Sequence, residues 1–283
     1  MRKIILPLML LLAAGGCDIV SDPKEGLAGP TVPGNDGVVR RVLLEDCTGF
    51  RCNNCPQAAN MAQSLKNVYG DRLVIVGVHM KQQFAGPEWP YDDGIYDTDF
   101  RTEAGNVYDQ TFGIIGLPSG LIDRAPYNNI MAMGIGSWSE AVAARMELPP
   151  LMDTWFEGLQ YDGGTNTVSG TVKVAVLEPI NGDHNLTIYL TEDHVIDWQL
   201  DGVTNIPDYD HRHVLRGALN SPWGQSLITG DAQPGDTLTA TFSYPLPPNV
   251  LQPANCALVA YVYSTAGADQ YEVKQVVERK IIP

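Results

Sequence analysis

Basic residues are scarce in this chain: 18 Lys and Arg stand against 33 Asp and Glu, and the formal net charge is −15. Phosphate recognition relies on clustered Lys and Arg that displace counterions, so this balance excludes a nucleic-acid partner. Long apolar runs are missing too, apart from residues 4–14. That run is too short to span a bilayer as a helix, which takes about 20 residues. No Gly-rich phosphate loop and no nucleophilic-serine motif occurs. The acids Asp92, Asp93, Asp97 and Asp99 lack the spacing of a calcium loop. Cysteine is rare, five in 283 residues. Two of them form a C-x-x-C, but no second pair stands at matching spacing, so a structural zinc site would lack ligands and no metal is expected. His211 and His213 would share a face if extended, yet 208–213 matches no metal motif and reads as a polar loop. No internal repeat is present.

What is there begins with a leader. Arg2 and Lys3 precede the apolar run, and Ala14-Gly15-Gly16-Cys17 follows it. Residues 1–16 read as a lipoprotein signal peptide, with cleavage before Cys17 and lipidation of its thiol. The lipid would be the only membrane anchor. Residues 17–37 are rich in Pro, Gly, Asp and Ser and read as a flexible tether.

Residues 38–150 read as an α/β unit. Strands are expected over 38–44 and 73–78, the second being LVIVGV, a continuous apolar run of the kind buried on both faces of a sheet. Between them, residues 57–69 place Ala58, Ala59, Met61, Ala62, Leu65 and Val68 at near-helical spacing. The β-α-β order favours a parallel pair joined by a crossover helix. Residues 80–98 read as an insertion with exposed aromatics over 84–96, 99–112 as a second helix, and 137–146 as another, capped by Ser137 with Glu140 three residues on. Beyond Pro149-Pro150 the pattern changes. Residues 165–177, 186–190, 236–244, 257–263 and 272–282 alternate with period two between turn signals. Residues 151–283 are therefore expected to be all-β, an antiparallel, Ig-like sandwich.

Chemistry concentrates at Cys52 and Cys55. They fall where a loop meets a helix, and a helix N-terminus stabilises the thiolate, the reactive form of cysteine. A C-x-x-C in a β-α-β setting is a redox signal. Thioredoxin-like folds set a cis-proline opposite the dithiol, and Leu117-Pro118-Ser119 resembles that element; only an X-Pro bond adopts cis at low cost. Asp46 stands six residues before Cys52, the offset at which thioredoxins carry a buried carboxylate that helps move the proton of the second cysteine; desolvation would raise its pKa and suit it to that work, the alternative being a cap on the following loop. The expected catalytic set is thus Cys52, Cys55, Pro118 and Asp46. Arg51 is expected to stabilise a thiolate at Cys52. Once Cys17 is lipidated, Cys47 and Cys256 remain, either as a structural disulfide or as two unpaired buried thiols.

The string Glu45-Asp46-Cys47-Thr48-Gly49-Phe50-Arg51-Cys52-Asn53-Asn54-Cys55-Pro56 resembles the outer membrane protein 28 family of bacterial lipoproteins, which typically reads E-D-x-T-G-x-x-C-x-N-C-P there. His213-Val214-Leu215-Arg216 and Trp223-Gly224 are also similar. Cys47 stands where that family would place an aromatic. The resemblance implies a lipoprotein of the outer membrane, on its periplasmic or surface face, with a suggested role in adhesion or surface binding. Two functions follow as expectations. One is a thiol-disulfide oxidoreductase of the cell envelope acting on protein thiols or disulfides, with no cofactor beyond the redox-active disulfide and the N-terminal lipid. The other is a non-catalytic binding or adhesion protein with an envelope partner, in which the disulfide is structural.

Overall fold

A computed structural model describes residues 37–87 and 95–283. The leader, Cys17 and the tether up to residue 36 lie outside the described residues.

The N-terminal half follows the expected order. Strand β1 (Val42–Thr48) leads through the cysteine loop into α1 (Cys55–Tyr69), which returns to β2 (Leu73–His79). A short helix α2 (Gln82–Ala85) and the longer α3 (Glu103–Thr111) precede β3 (Ser119–Ile122), and α4 (Trp138–Met146) closes the half. β1 pairs parallel with β2, from Val42 opposite Leu73 to Thr48 opposite His79, and antiparallel with β3. Side chains alternate across the sheet, so each strand feeds two cores. Val42, Leu44, Leu73 and Ile75 meet Ala58, Ala62 and Leu65 of α1 and Trp138 and Val142 of α4. Leu43, Cys47, Val74, Val76 and Val78 face the other way, onto Tyr108 of α3 and onto residues of the second half. Proline in the first turn suits α1, because Pro56 removes an N–H that would lack a partner. Thr102 caps α3, accepting from the Gly105 amide at 3.0 Å. The expected cap at Ser137 is absent: a 3-10 turn (Ile135–Ser137) already winds the chain, and the Ser137 side chain makes no capping hydrogen bond.

The second half is built of strands: β4 (Met152–Asp162), β5 (Thr167–Val176), β6 (His184–Glu192), β7 (Val195–Asp201), β8 (Thr204–His211), β9 (Val214–Ala218), β10 (Gln225–Ile228), β11 (Thr237–Pro245), β12 (Cys256–Ser264) and β13 (Val273–Lys280), with one 3-10 turn (Pro253–Asn255) before β12. A three-stranded sheet, β11-β5-β4, packs on a larger one. Val172, Val174 and Phe242 from the first interdigitate with Ile188, Leu190, Leu258 and Ala260 from the second. The larger sheet crosses the 150/151 position: its order is β13-β12-β6-β9-β2-β1-β3, with β10 on β6. The junction is β2 with β9, where the Gly77 amide donates to the His213 carbonyl at 2.7 Å. Glycine keeps that approach close. A Cβ on Gly77 would stand 3.3 Å from the Arg212 carbonyl oxygen and 3.5 Å from that of His213, so β9 would have to give by a few tenths of an ångström.

A buried polar knot secures the join. Arg124, just past β3, donates to both oxygens of Glu45 on β1 at 2.7 and 2.8 Å, and to the Tyr189 hydroxyl of β6 at 2.7 Å. The Tyr261 hydroxyl of β12 donates to that of Tyr189 at 2.8 Å. The guanidinium also lies 4.2 Å from the Tyr108 ring centroid, where a desolvated cation gains from the ring quadrupole.

The pairing of Cys47 with Cys256 is not formed: both thiols are free and buried. β1 and β12 are separated in the sheet by β2, β9 and β6. Four interstrand steps put their Cα atoms roughly 19 Å apart, against about 7 Å at most for a disulfide. Burial pushes the Cys47 thiol well above its ordinary range and the Cys256 thiol up to about 12, so both act as small core hydrophobes. Among the described residues, no helix is long and apolar enough to cross a membrane.

Candidate functional site

The cysteine loop is a succession of tight turns. The Cys52 amide donates to the Gly49 carbonyl at 2.9 Å and the Cys55 amide to the Cys52 carbonyl at 3.1 Å. This brings the two sulfurs into a disulfide, with Cys55 as the first residue of α1. Gly49 is the other glycine the site needs, since a Cβ there would stand 2.6 Å from the Phe84 carbonyl oxygen. That carbonyl accepts from the Arg51 amide at 3.1 Å and ties the loop to α2. The Arg51 side chain is not turned to Cys52 as expected. It donates to the Gly86 carbonyl at 2.6 Å and lies 5.1 Å from the Phe50 and Tyr96 ring centroids. Nor is Tyr96 an exposed aromatic: it is buried, stacked on Phe50 at 5.1 Å.

The hairpin of β7 and β8 lies across the loop. The Leu200 amide donates to the Phe50 carbonyl at 2.8 Å, and the Gly202 amide to the Asn53 carbonyl at 2.9 Å. Gln199 Nε2 donates to the Cys52 carbonyl at 3.1 Å and to its neighbour Leu200 at 2.8 Å. Three loop residues, Phe50, Cys52 and Asn53, are thereby held by the end of β7 and the turn that follows it. Cys52 and Cys55 are each left 2 % exposed.

Behind the disulfide runs a cleft of about 420 Å³. Its floor is Asp46 and Thr48 of β1 with Ile75, Gly77 and His79 of β2; one wall is Cys55, Ala59, Ala62 and Gln63, a single face of α1 at helical spacing. The opposite wall is Gln199 of β7, Tyr209 and His211 of β8, and His213 beyond it. Asp46 is 4 % exposed, and its Oδ1 has no hydrogen-bond partner. Burial alone raises its carboxyl to about 7. His79 and His211 are held neutral. Burial is the main cause at both, lowering His79 well below the usual range and His211 to about 4; for His79, His211 and Arg216 add to the effect. The His79 ring stacks on Phe100 at 4.6 Å and meets His211 edge-on at 5.6 Å. His211 Nε2 lies 3.2 Å from the Trp198 carbonyl oxygen, which can only accept. Nε2 therefore carries the proton, and Nδ1 is left as an acceptor. Among the described residues, no group of three or more His, Cys, Asp or Glu side chains is arranged to hold a metal ion.

Of the residues singled out from the sequence, Cys55 and Asp46 share this cleft, and Cys52 closes the disulfide on the covered side. The Leu117–Pro118 peptide is cis, directly before β3, but Pro118 does not line the cleft. Cys17 lies outside the described residues. Sequence patterns missed His79, Gln199, Tyr209, His211 and His213 as parts of one site. The available signal was a histidine ending a fully apolar strand, and the His211/His213 alternation in a stretch read as a loop; 204–211 is in fact strand.

Comparison with known proteins places the chain. No curated protein matches it. It is similar in fold to HBP35 of Porphyromonas gingivalis, at 19% identity, over 86% of this chain and 75% of that one, with a TM-score of 0.63. A domain of the outer membrane lipoprotein Omp28 from Porphyromonas gingivalis also aligns, at 27% identity, over 47% of this chain and 89% of that one, with a TM-score of 0.29. The sequence profile described as outer membrane protein Omp28 matches residues 105–283, from α3 to the C-terminus. This stretch is more than half of the sequence, and the chain belongs to the Omp28 family of outer membrane proteins.

Proposed function

We propose that the chain is a lipid-anchored protein of the cell envelope whose residues 38–150 form a thioredoxin-like unit with a redox-capable disulfide. The observation that carries this is the placing of the Cys52–Cys55 disulfide at the start of α1, on a cleft shared with the buried, unpartnered carboxyl of Asp46. A helix N-terminus favours the thiolate released on reduction. A carboxyl near 7 takes and returns a proton close to neutrality. The parallel β1-α1-β2 unit, with antiparallel β3 on the other side of β1, supports the thioredoxin-like assignment. The order of basic residues, apolar run, small residues and Cys17 supports the lipid anchor. Thiols or disulfides of envelope proteins are the partner class. Titration of the protein against dithiothreitol redox buffers tests the function. A midpoint within the range of thiol-disulfide oxidoreductases, about −120 to −270 mV, is expected. A disulfide still intact well below about −300 mV, with no turnover of insulin or glutathione disulfide, rules it out.

The cover over Cys52 favours a second reading, in which the disulfide only staples the loop and the β-rich half binds an envelope partner. In that case replacing both Cys52 and Cys55 by alanine leaves the cellular phenotype unchanged.

A further inference from the structure

Access to the disulfide is unequal on its two sides. Over Cys52, the β7–β8 hairpin holds the chain at Phe50, Cys52 and Asn53 through Leu200 and Gln199 of β7 and Gly202 of its turn. A protein substrate approaching from that side meets strand already in place. On the other side Cys55 borders the cleft and Cys52 does not. That space is of a size that holds a small molecule and not a polypeptide. It is also chemically unfinished: Asp46 Oδ1 lacks a partner, and so do both ring nitrogens of His79. Buried polar atoms without partners are rare in folded proteins and call for a water or a ligand.

We infer that the cleft is the entry site of a low-molecular-weight thiol, and that the incoming sulfur attacks Cys55 and not Cys52. This rests on the redox function proposed above and adds to its protein partners a small-thiol reductant, together with the sulfur that meets it. The thiol RSH gives its proton to the Asp46 carboxylate. Its sulfur bonds to Cys55 Sγ as the Cys52–Cys55 bond breaks, and the electron pair leaves on Cys52, where the proton from Asp46 follows. A second RSH then attacks the sulfur of the bound R group, RSSR departs, and Cys55 takes the remaining proton. Two thiols are oxidised to one disulfide and the protein disulfide is reduced to a dithiol.

The test uses the full protein with cysteamine and, as a thiol that cannot enter the cleft, a thiol-terminated polyethylene glycol. Oxidised protein is mixed briefly with cysteamine and quenched in acid, and fragment-ion mass spectrometry locates the adduct. The adduct is expected on Cys55. Cysteamine is expected to reduce the disulfide roughly tenfold faster than the polymer, since exchange rates depend on which sulfur is attacked and on its access. Ala59→Leu, on the half-buried cleft wall, should slow cysteamine and leave thermal stability near that of the unaltered protein. Because a side-chain change there could disturb α1, the adduct position in the unaltered protein is decisive. An adduct on Cys52, or equal rates for the two thiols, overturns the inference and leaves the redox function standing. A disulfide that resists both thiols overturns both.

Discussion

Asp46 is the residue on which pH should act most. Unfolded, its carboxyl titrates near the ordinary 3.8; folded, burial raises it to about 7. Between those values the folded protein keeps a proton that the unfolded chain has lost. Stability from this group is therefore full below about 4 and falls as pH rises through 7. The shift corresponds to about 4 kcal/mol at most. Asp46→Asn should flatten the stability–pH curve between about 4 and 8, read by urea unfolding; an unchanged slope would mean that the carboxyl is solvated. Cys47 and Cys256 make a second prediction at this scale. Both are buried, with thiols pushed up by desolvation. Neither should react with a thiol reagent in the native protein at pH 8, and both should react in denaturant. Rapid labelling of either before unfolding would place it at the surface.

At the scale of elements, the β7–β8 hairpin decides how open the disulfide is. It is paired as its own two-stranded sheet and reaches the loop through a few hydrogen bonds. Its tip and outer face are polar and exposed, with Val203 and Ile196 open to solvent. Sequence periodicity did not find these strands because Thr204–His211, TNIPDYDH, has almost no apolar residue and includes a proline. The Asp201-Gly202 pair was its one legible signal. Gln199→Ala removes two donors from Cys52 and Leu200 and should cost about 1 kcal/mol. It should also speed amide hydrogen exchange at Leu200 and Gly202. If exchange there is already fast in the unaltered protein, the hairpin does not hold the loop. The helices were more legible. Ala58, Ala62 and Leu65 of α1 all face the core their spacing implies. The exception, Ser137 as a cap, failed because the turn before α4 begins winding earlier than its sequence pattern shows.

For the whole molecule, the shared sheet and the Arg124–Glu45 pair make the halves interdependent. Both side chains are essentially inaccessible. Removing one partner of such a pair leaves the other charge buried and alone, which typically costs 3–5 kcal/mol. Arg124→Ala should lower stability by about that amount, and unfolding should remain a single transition when followed by tryptophan fluorescence and circular dichroism together. A fragment ending at Pro150 would expose Val74, Val76 and Val78 where Tyr189 and Tyr261 now cover them, and it should not melt cooperatively. Two separate transitions in the full chain would show that the halves fold alone.

The sequence by itself determined the local order: strand, cysteine loop, helix and buried strand, then a β-rich half. Apolar periodicity, turn residues and the C-x-x-C act over short range, and nothing distant overrode them. It also singled out Asp46, six residues before Cys52, as a carboxylate beside the dithiol, whereas its burial was decided by the packed sheet around it. Only the tertiary structure decided that Cys47 and Cys256 stay apart, that β9 extends the first sheet, and that a polar hairpin from the second half lies over Cys52. Those outcomes depend on contacts between residues more than a hundred positions apart, such as Cys52 with Gln199 and Glu45 with Tyr189. Polar segments that fold by docking onto a distant surface leave no periodicity of their own to read.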